Sequence, residues 1–260
     1  MKARSIRFMR ICALAAAGAL TMQSTLLQAE ELPGPIKSLE AKGVTIKGSF
    51  DAPDGLKGYA AEYQKQGMAL YLTPDGKHVL AGNLFDEKGQ DLSEAPLQKL
   101  VYEPMTKAMW SQMESSTWIP DGAKNAPKVI YLFSDANCPY CNMFWEQARP
   151  WVKSGKVQLR HIMVGVIRED SAAKAATLLS DANPEVALQK HEQAGRSSTL
   201  KALDKIPKDI QAKLDANMKL MEDMGLSATP SIFYKDENGN VQQQQGAPRP
   251  EVLAKMMGPK

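Results

Sequence analysis

From residue 44 to residue 84 apolar and polar positions alternate in short runs, the period of half-buried strands. The predicted strands are Val44 to Phe50, Leu56 to Tyr63, Met68 to Leu72 and His78 to Leu84, with Thr73-Pro74-Asp75-Gly76-Lys77 turning the last two into a hairpin. A short helix, Pro35 to Lys42, precedes them and stops before Gly43. About 60 residues bury only a small core, so this unit is expected to lean on a partner, pairing sheet edges or short helices across a two-fold axis.

At Ser93 the period lengthens. Leu97, Leu100, Val101, Met105, Ala108, Met109 and Met113 recur at threes and fours as far as Thr117, which predicts a helix with Pro104 as its kink. It reads as a linker between two domains, the alternative being a surface helix of a single one. After a polar loop, Asp121 to Pro127, the run Lys128 to Phe133 is too apolar for an exposed strand and is predicted to lie at a sheet centre. A helix, Asn142 to Val152, continues through Pro150, and Val157 to Ile167 is a second buried strand. Strand, helix, strand is the unit that places chemistry at the first strand's carboxyl end. Residues 170 to 225 have helical spacing broken at Pro184, Gly195 and Pro207, as a helical insertion would. Ser231 to Tyr234 and Val241 to Gln245 form a hairpin, its glutamines on a solvated face, and Pro250 to Met257 a closing helix. The expected class is α+β, divided into residues 1–29, 30–92, 93–120 and 121–260.

The first of these segments changes the charge and the compartment. Lys2, Arg4, Arg7 and Arg10 precede an apolar stretch, Ile11 to Leu20, and Leu27-Gln28-Ala29 fits a peptidase site, so residues 1–29 read as a secretory signal. No later stretch approaches the roughly 20 apolar residues of a membrane span. The whole chain carries 32 Lys and Arg against 29 Asp and Glu. Without the signal's four cations the balance is 28 to 29, which gives no argument for nucleic acid as a partner.

Cys12 leaves with the signal, and Cys138 and Cys141 remain. A disulfide gains most by closing a long loop, so the value of this pair is chemical. In Cys138-Pro139-Tyr140-Cys141 the first sulfur sits at a helix N-terminus, where free N–H groups and the helix dipole favour an exposed thiolate. Cys141, one turn in and more buried, is suited to resolve a mixed disulfide, while Pro139 holds the first helical turn. Zinc would need about four ligands, and His78, His161 and His191 have no tight spacing. Haem attachment would need a histidine at Asn142. A short structural disulfide is the remaining competitor; no metal or cofactor is expected.

Thr229-Pro230 precedes the strand Ser231 to Tyr234. The proline is either a strand-entry device or, paired with the upstream cysteines, a cis-proline loop that aims the Thr229 backbone at a bound peptide. Pro139, Tyr140, Thr229 and Pro230 are therefore candidate substrate contacts. Asp135, Glu146 and Glu222 are candidate proton acceptors, more simply read as solvated or capping carboxylates. Trp145 and Trp151 read as core or groove wall, and the methionines as gap-fillers.

The stretch Cys-Pro-Tyr-Cys, Phe144-Trp145, Gln147 to Val152 and Ser154 to Arg160, with Leu72 to His78 and Thr229-Pro230, resembles the DsbC/DsbG family of periplasmic thiol:disulfide interchange proteins, in the thioredoxin superfamily. The resemblance implies an N-terminal cystatin-like dimerisation domain, a linker helix and a thioredoxin-like catalytic domain with a helical insertion. It further implies a V-shaped homodimer acting on cysteine-containing periplasmic proteins and kept reduced by a DsbD-like membrane reductase. The activity it implies is that of a disulfide isomerase and reductase, with sulfenic acids among its substrates. A disulfide oxidase and a cysteine-independent chaperone are the alternatives. Family members can carry lysine after the second cysteine; Asn142 stands here, which leaves the thiolate with one cation fewer.

Overall fold

The structure, a computed structural model, describes residues 31–259, so the signal predicted over residues 1–29 lies outside the described residues. The chain builds two sheets joined by a helical rod. The first holds β1 (Thr45–Asp51), β2 (Lys57–Tyr63), β3 (Gln66–Leu72) and β4 (Val79–Ala81), all antiparallel and in sequence order. Its alternation sends Tyr59, Ala61, Leu70 and Leu72 to one face, under Ile36 of α1 (Gly34–Glu40). Ala60, Ala69 and Tyr71 go to the other, under Leu97 and Val101 of the rod.

The predicted last strand, His78 to Leu84, is shorter than expected. Gly82 turns the chain at φ 141°, and the Leu84 N–H donates to Ser93 Oγ at 2.8 Å instead of to a neighbouring strand. Leu80 and Phe85 are left exposed along this edge.

The rod comprises α2 (Glu94–Leu97), a π-helical turn (Gln98–Tyr102) and α3 (Glu103–Ser115). Pro104 has no N–H for the carbonyl four residues back, and at this point the helix widens: the Glu103 N–H bonds Gln98 O, five residues back. The predicted kink is thus a π turn. The rod's early residues complete the first sheet's core, while Met113 is buried in that of the second.

The second sheet has the order β5-β7-β6-β8-β9, with β5 (Ile119–Asp121), β6 (Lys128–Ser134), β7 (Val157–Met163), β8 (Ser231–Lys235) and β9 (Val241–Gln245). β6 lies at its centre, parallel to β7 and antiparallel to β8. Ile130 and Leu132 pack with Phe144, Ala148 and Trp151 of α4 (Pro139–Lys153) and with Leu253 and Met256 of α8 (Pro250–Met257). Tyr131 and Phe133 face the opposite way, against Met113 and Met221 of α7 (Lys208–Asp223). Both faces are covered, so β6 reads as an unbroken apolar run.

Two expectations need correction. Residue 121 belongs to β5, which the sequence pattern hid because Pro120 interrupts it; an edge strand tolerates that proline. β7 ends at Met163, not at Ile167, because the Val166 and Ile167 N–H groups bond a side chain and leave the ladder. The insertion forms α5 (Ser171–Ser180), α6 (Pro184–Ala194) and α7.

Candidate active site

The helix α4 begins at a sulfur. Cys138 is its N-cap residue, extended at φ −85° and ψ 112°, and Pro139 follows at the first helical position, where a missing N–H leaves nothing unbonded. The Cys141 N–H donates to Cys138 Sγ at 3.4 Å. Opposite the helix, the Thr229–Pro230 peptide is cis, and the Thr229 carbonyl accepts the Cys138 S–H at 3.3 Å. The Thr229 hydroxyl is buried with no hydrogen-bond partner, leaving it available to the sulfur.

These neighbours tune the two thiols in opposite directions. The Cys141 S–H is the main stabiliser of the Cys138 anion; the Thr229 hydroxyl and the N–H groups of Cys141 and Tyr140 add to it, and burial opposes them. The net effect lowers the Cys138 thiol to about 6. Burial pushes Cys141 up, and the bond it donates to Cys138, together with that sulfur's charge, pushes it further. Both cysteines are free, so this is the geometry of the reduced pair.

Cys138 does not have the exposure expected of it. The residue is 5% exposed and Cys141 1%, because the Thr229–Pro230 loop closes over the helix end. A substrate must therefore reach into a cleft. Tyr140, on the first turn of α4, is exposed beside it.

The carboxylate candidates separate. Glu146 and Glu222 are exposed, as read. Asp135 is buried; it accepts N–H groups from Asn137, Val166 and Ile167 and the hydroxyl of Ser171. The histidines lie in three unrelated settings: His78 beside Asp75, His161 buried 3.6 Å from Asp121, and His191 bonded to Ala136 O and Ser198 Oγ.

Asn142 is not idle. Its amide donates to the Glu192 carbonyl at 2.7 Å and to Glu192 Oε2 at 2.8 Å, tying α4 to α6 and satisfying a buried carboxylate. Trp145 stacks under the Arg149 guanidinium, 3.9 Å from ring centre to carbon, and Trp151 bonds Gly258 O, so both rings serve the core. Arg149 in turn grips the fully buried Asp121 with two nitrogens. No sequence signal joins those two residues.

A five-stranded sheet covered by helices on both faces, with a cysteine pair at the start of a helix and a cis-proline loop across from it, defines a thioredoxin-like thiol-disulfide oxidoreductase. Residues 122–258 match the thioredoxin-like domain family, and residues 24–94 match the disulfide bond isomerase protein N-terminal domain. The chain is 66% identical over 89% of its length to thiol:disulfide interchange protein DsbG of Pseudomonas aeruginosa, covering 91% of that protein. It is 44% identical to thiol:disulfide interchange protein DsbG of Escherichia coli, covering 93% of this chain and 97% of that one. The chain belongs to the DsbG family of thiol:disulfide interchange proteins.

Proposed function

We propose that this chain works in the periplasm as a reductase and isomerase of protein thiols, with Cys138 attacking and Cys141 resolving. The observation that carries this reading is the opposed tuning of the pair: one thiol lowered to about 6 at a helix start, the other pushed up beneath it. At neutral pH the first sulfur is a nucleophile, while the second keeps its proton until needed.

The Cys138 thiolate attacks one sulfur of a substrate disulfide; that S–S bond breaks and the other substrate sulfur leaves as a thiolate. That thiolate can re-pair within the substrate and expel Cys138, which is isomerisation. Alternatively Cys141 loses its proton and attacks Cys138, forming their disulfide and releasing the second substrate thiol, so two electrons pass to the substrate. With a sulfenic acid, Cys138 attacks the sulfur and the hydroxyl leaves as water after taking a proton. Pro139, Tyr140, Thr229 and Pro230 form the substrate contacts around the attacking sulfur.

A membrane dithiol reductase of the DsbD kind returns the two electrons. The unit over residues 30–92 dimerises through its edge; the short β4 with exposed Leu80 and Phe85 supports this. Residues 93–120 join it to the catalytic unit over 121–260.

The test is the resting state of the pair in cells. Acid quenching followed by alkylation should find free thiols, shifting to disulfide when the membrane reductase is deleted; a pair oxidised in normal cells would make the chain an oxidase. Cys138→Ser should abolish turnover, and Cys141→Ala should accumulate covalent adducts on non-reducing gels. Full activity without either cysteine would instead point to a chaperone.

A further inference from the structure

We infer that Asp135 is a positioning residue that holds an apolar substrate wall against the cysteine turn. This rests on the function proposed above and assigns the surface by which a protein substrate is held. The Asp135 side chain bonds neither sulfur, and the residue is 1% exposed. Its two oxygens divide the work. Oδ1 accepts the Asn137 N–H at 2.8 Å and the Ser171 hydroxyl at 2.9 Å, fixing the turn that enters Cys138. Oδ2 accepts the N–H groups of Val166 at 2.7 Å and Ile167 at 3.0 Å, fixing the segment that follows β7. Bonds to an ionised acceptor are the strong kind, and here a single carboxylate spans the two loops.

The second loop is seated by its backbone as well. A Cβ on Gly165 would stand 2.6 Å from the Ala172 backbone nitrogen, so the chain runs directly against the first turn of α5. With their N–H groups turned inward to Asp135, Val166 and Ile167 present their side chains outward, 41% and 45% exposed. Tyr140 and Met143, three residues apart on the first turns of α4 that carry the cysteines, are exposed. Large apolar groups thus stand exposed on the segment that Asp135 ties to the turn entering Cys138 and on the first turns of α4, while the nucleophile between these elements is itself nearly buried. Such groups gain by leaving water against an apolar partner, and a sulfur this deep is reached by an extended stretch. The occupant is therefore an extended apolar segment flanking a substrate cysteine. The carboxylate fixes the distance between its two walls.

Steady-state isomerisation of a scrambled disulfide protein by the full mature chain tests this. Asp135→Asn keeps the shape but replaces one acceptor oxygen with a donor. It should raise KM about fivefold or more while kcat changes less than about twofold, the signature of lost binding without lost chemistry. Val166→Ser with Ile167→Ser, at exposed positions with Asp135 intact, should give the same split. A wild-type chain without turnover would defeat the functional reading itself. With wild-type turnover present, an unchanged KM in either variant, or an Asp135→Asn loss confined to kcat, overturns the positioning role. If Asp135→Asn does not fold, the double variant decides: its KM must rise for the wall to stand.

Discussion

Replacing Cys141 with alanine does more than remove the resolving sulfur. The S–H of Cys141 is the largest single contributor to the lowered Cys138 thiol, and hydrogen bonds to charged groups are worth about 1.5–3 kcal/mol. At 1.36 kcal/mol per unit, losing one raises the thiol by about 1–2 units, from about 6 to about 7–8. The Thr229 hydroxyl and the N–H groups of Tyr140 and residue 141 remain, which keeps it below the value of a free cysteine. At pH 7 the thiolate fraction should fall from about nine-tenths to between about a half and a tenth. Thiolate ultraviolet absorbance against pH, in the reduced wild type and in Cys141→Ala, measures both midpoints directly. Iodoacetamide labelling rates across the same range give an independent reading. The reasoning fails if the midpoint in Cys141→Ala moves by less than about 0.3 units, because the lowered thiol would then owe little to the sulfur pair.

Two further outcomes follow from the same geometry and from the buried cluster behind it. The folded Cys138 thiol lies at about 6, below the unfolded value of about 8.5, so its stabilisation is complete above the latter and lost as pH falls through the former. Relative to Cys138→Ser, the reduced protein should gain about 2 kcal/mol between about pH 5 and 7.5, checked by urea unfolding; a flat difference would contradict the assignment. Arg149→Leu strands the buried Asp121 carboxylate: burial pushes that carboxyl up, and His161 and Arg149 together outweigh it and hold the group well below the usual carboxylate range. It should cost about 3–5 kcal/mol at pH 7 by chemical unfolding, and a loss under about 1 kcal/mol would show that water reaches the site.

Whatever depends on short-range pattern can be read from the chain of residues alone. Period-two runs defined the strands of the first sheet, the continuous run from Lys128 to Phe133 marked a strand covered on both faces, and the Cys138–Cys141 spacing put a sulfur at a helix start. Thr229-Pro230 was legible as a candidate cis peptide because only before proline is the free-energy cost of the cis form small. Tertiary structure decided what depends on partners distant in the chain. Cys138 is nearly buried because Thr229, 91 residues away, closes over it. Asn142 is tied to Glu192 across 50 residues, so its role could not be inferred from the residue type found elsewhere at that position. Asp135 looked like a solvated carboxylate because its residue type gives no sign of the four donors that surround it, three of them more than 30 residues downstream. Periodicity records which side of an element faces the core. It does not record which polar group from a remote loop will arrive there, and that arrival sets the depth and charge of the sulfur.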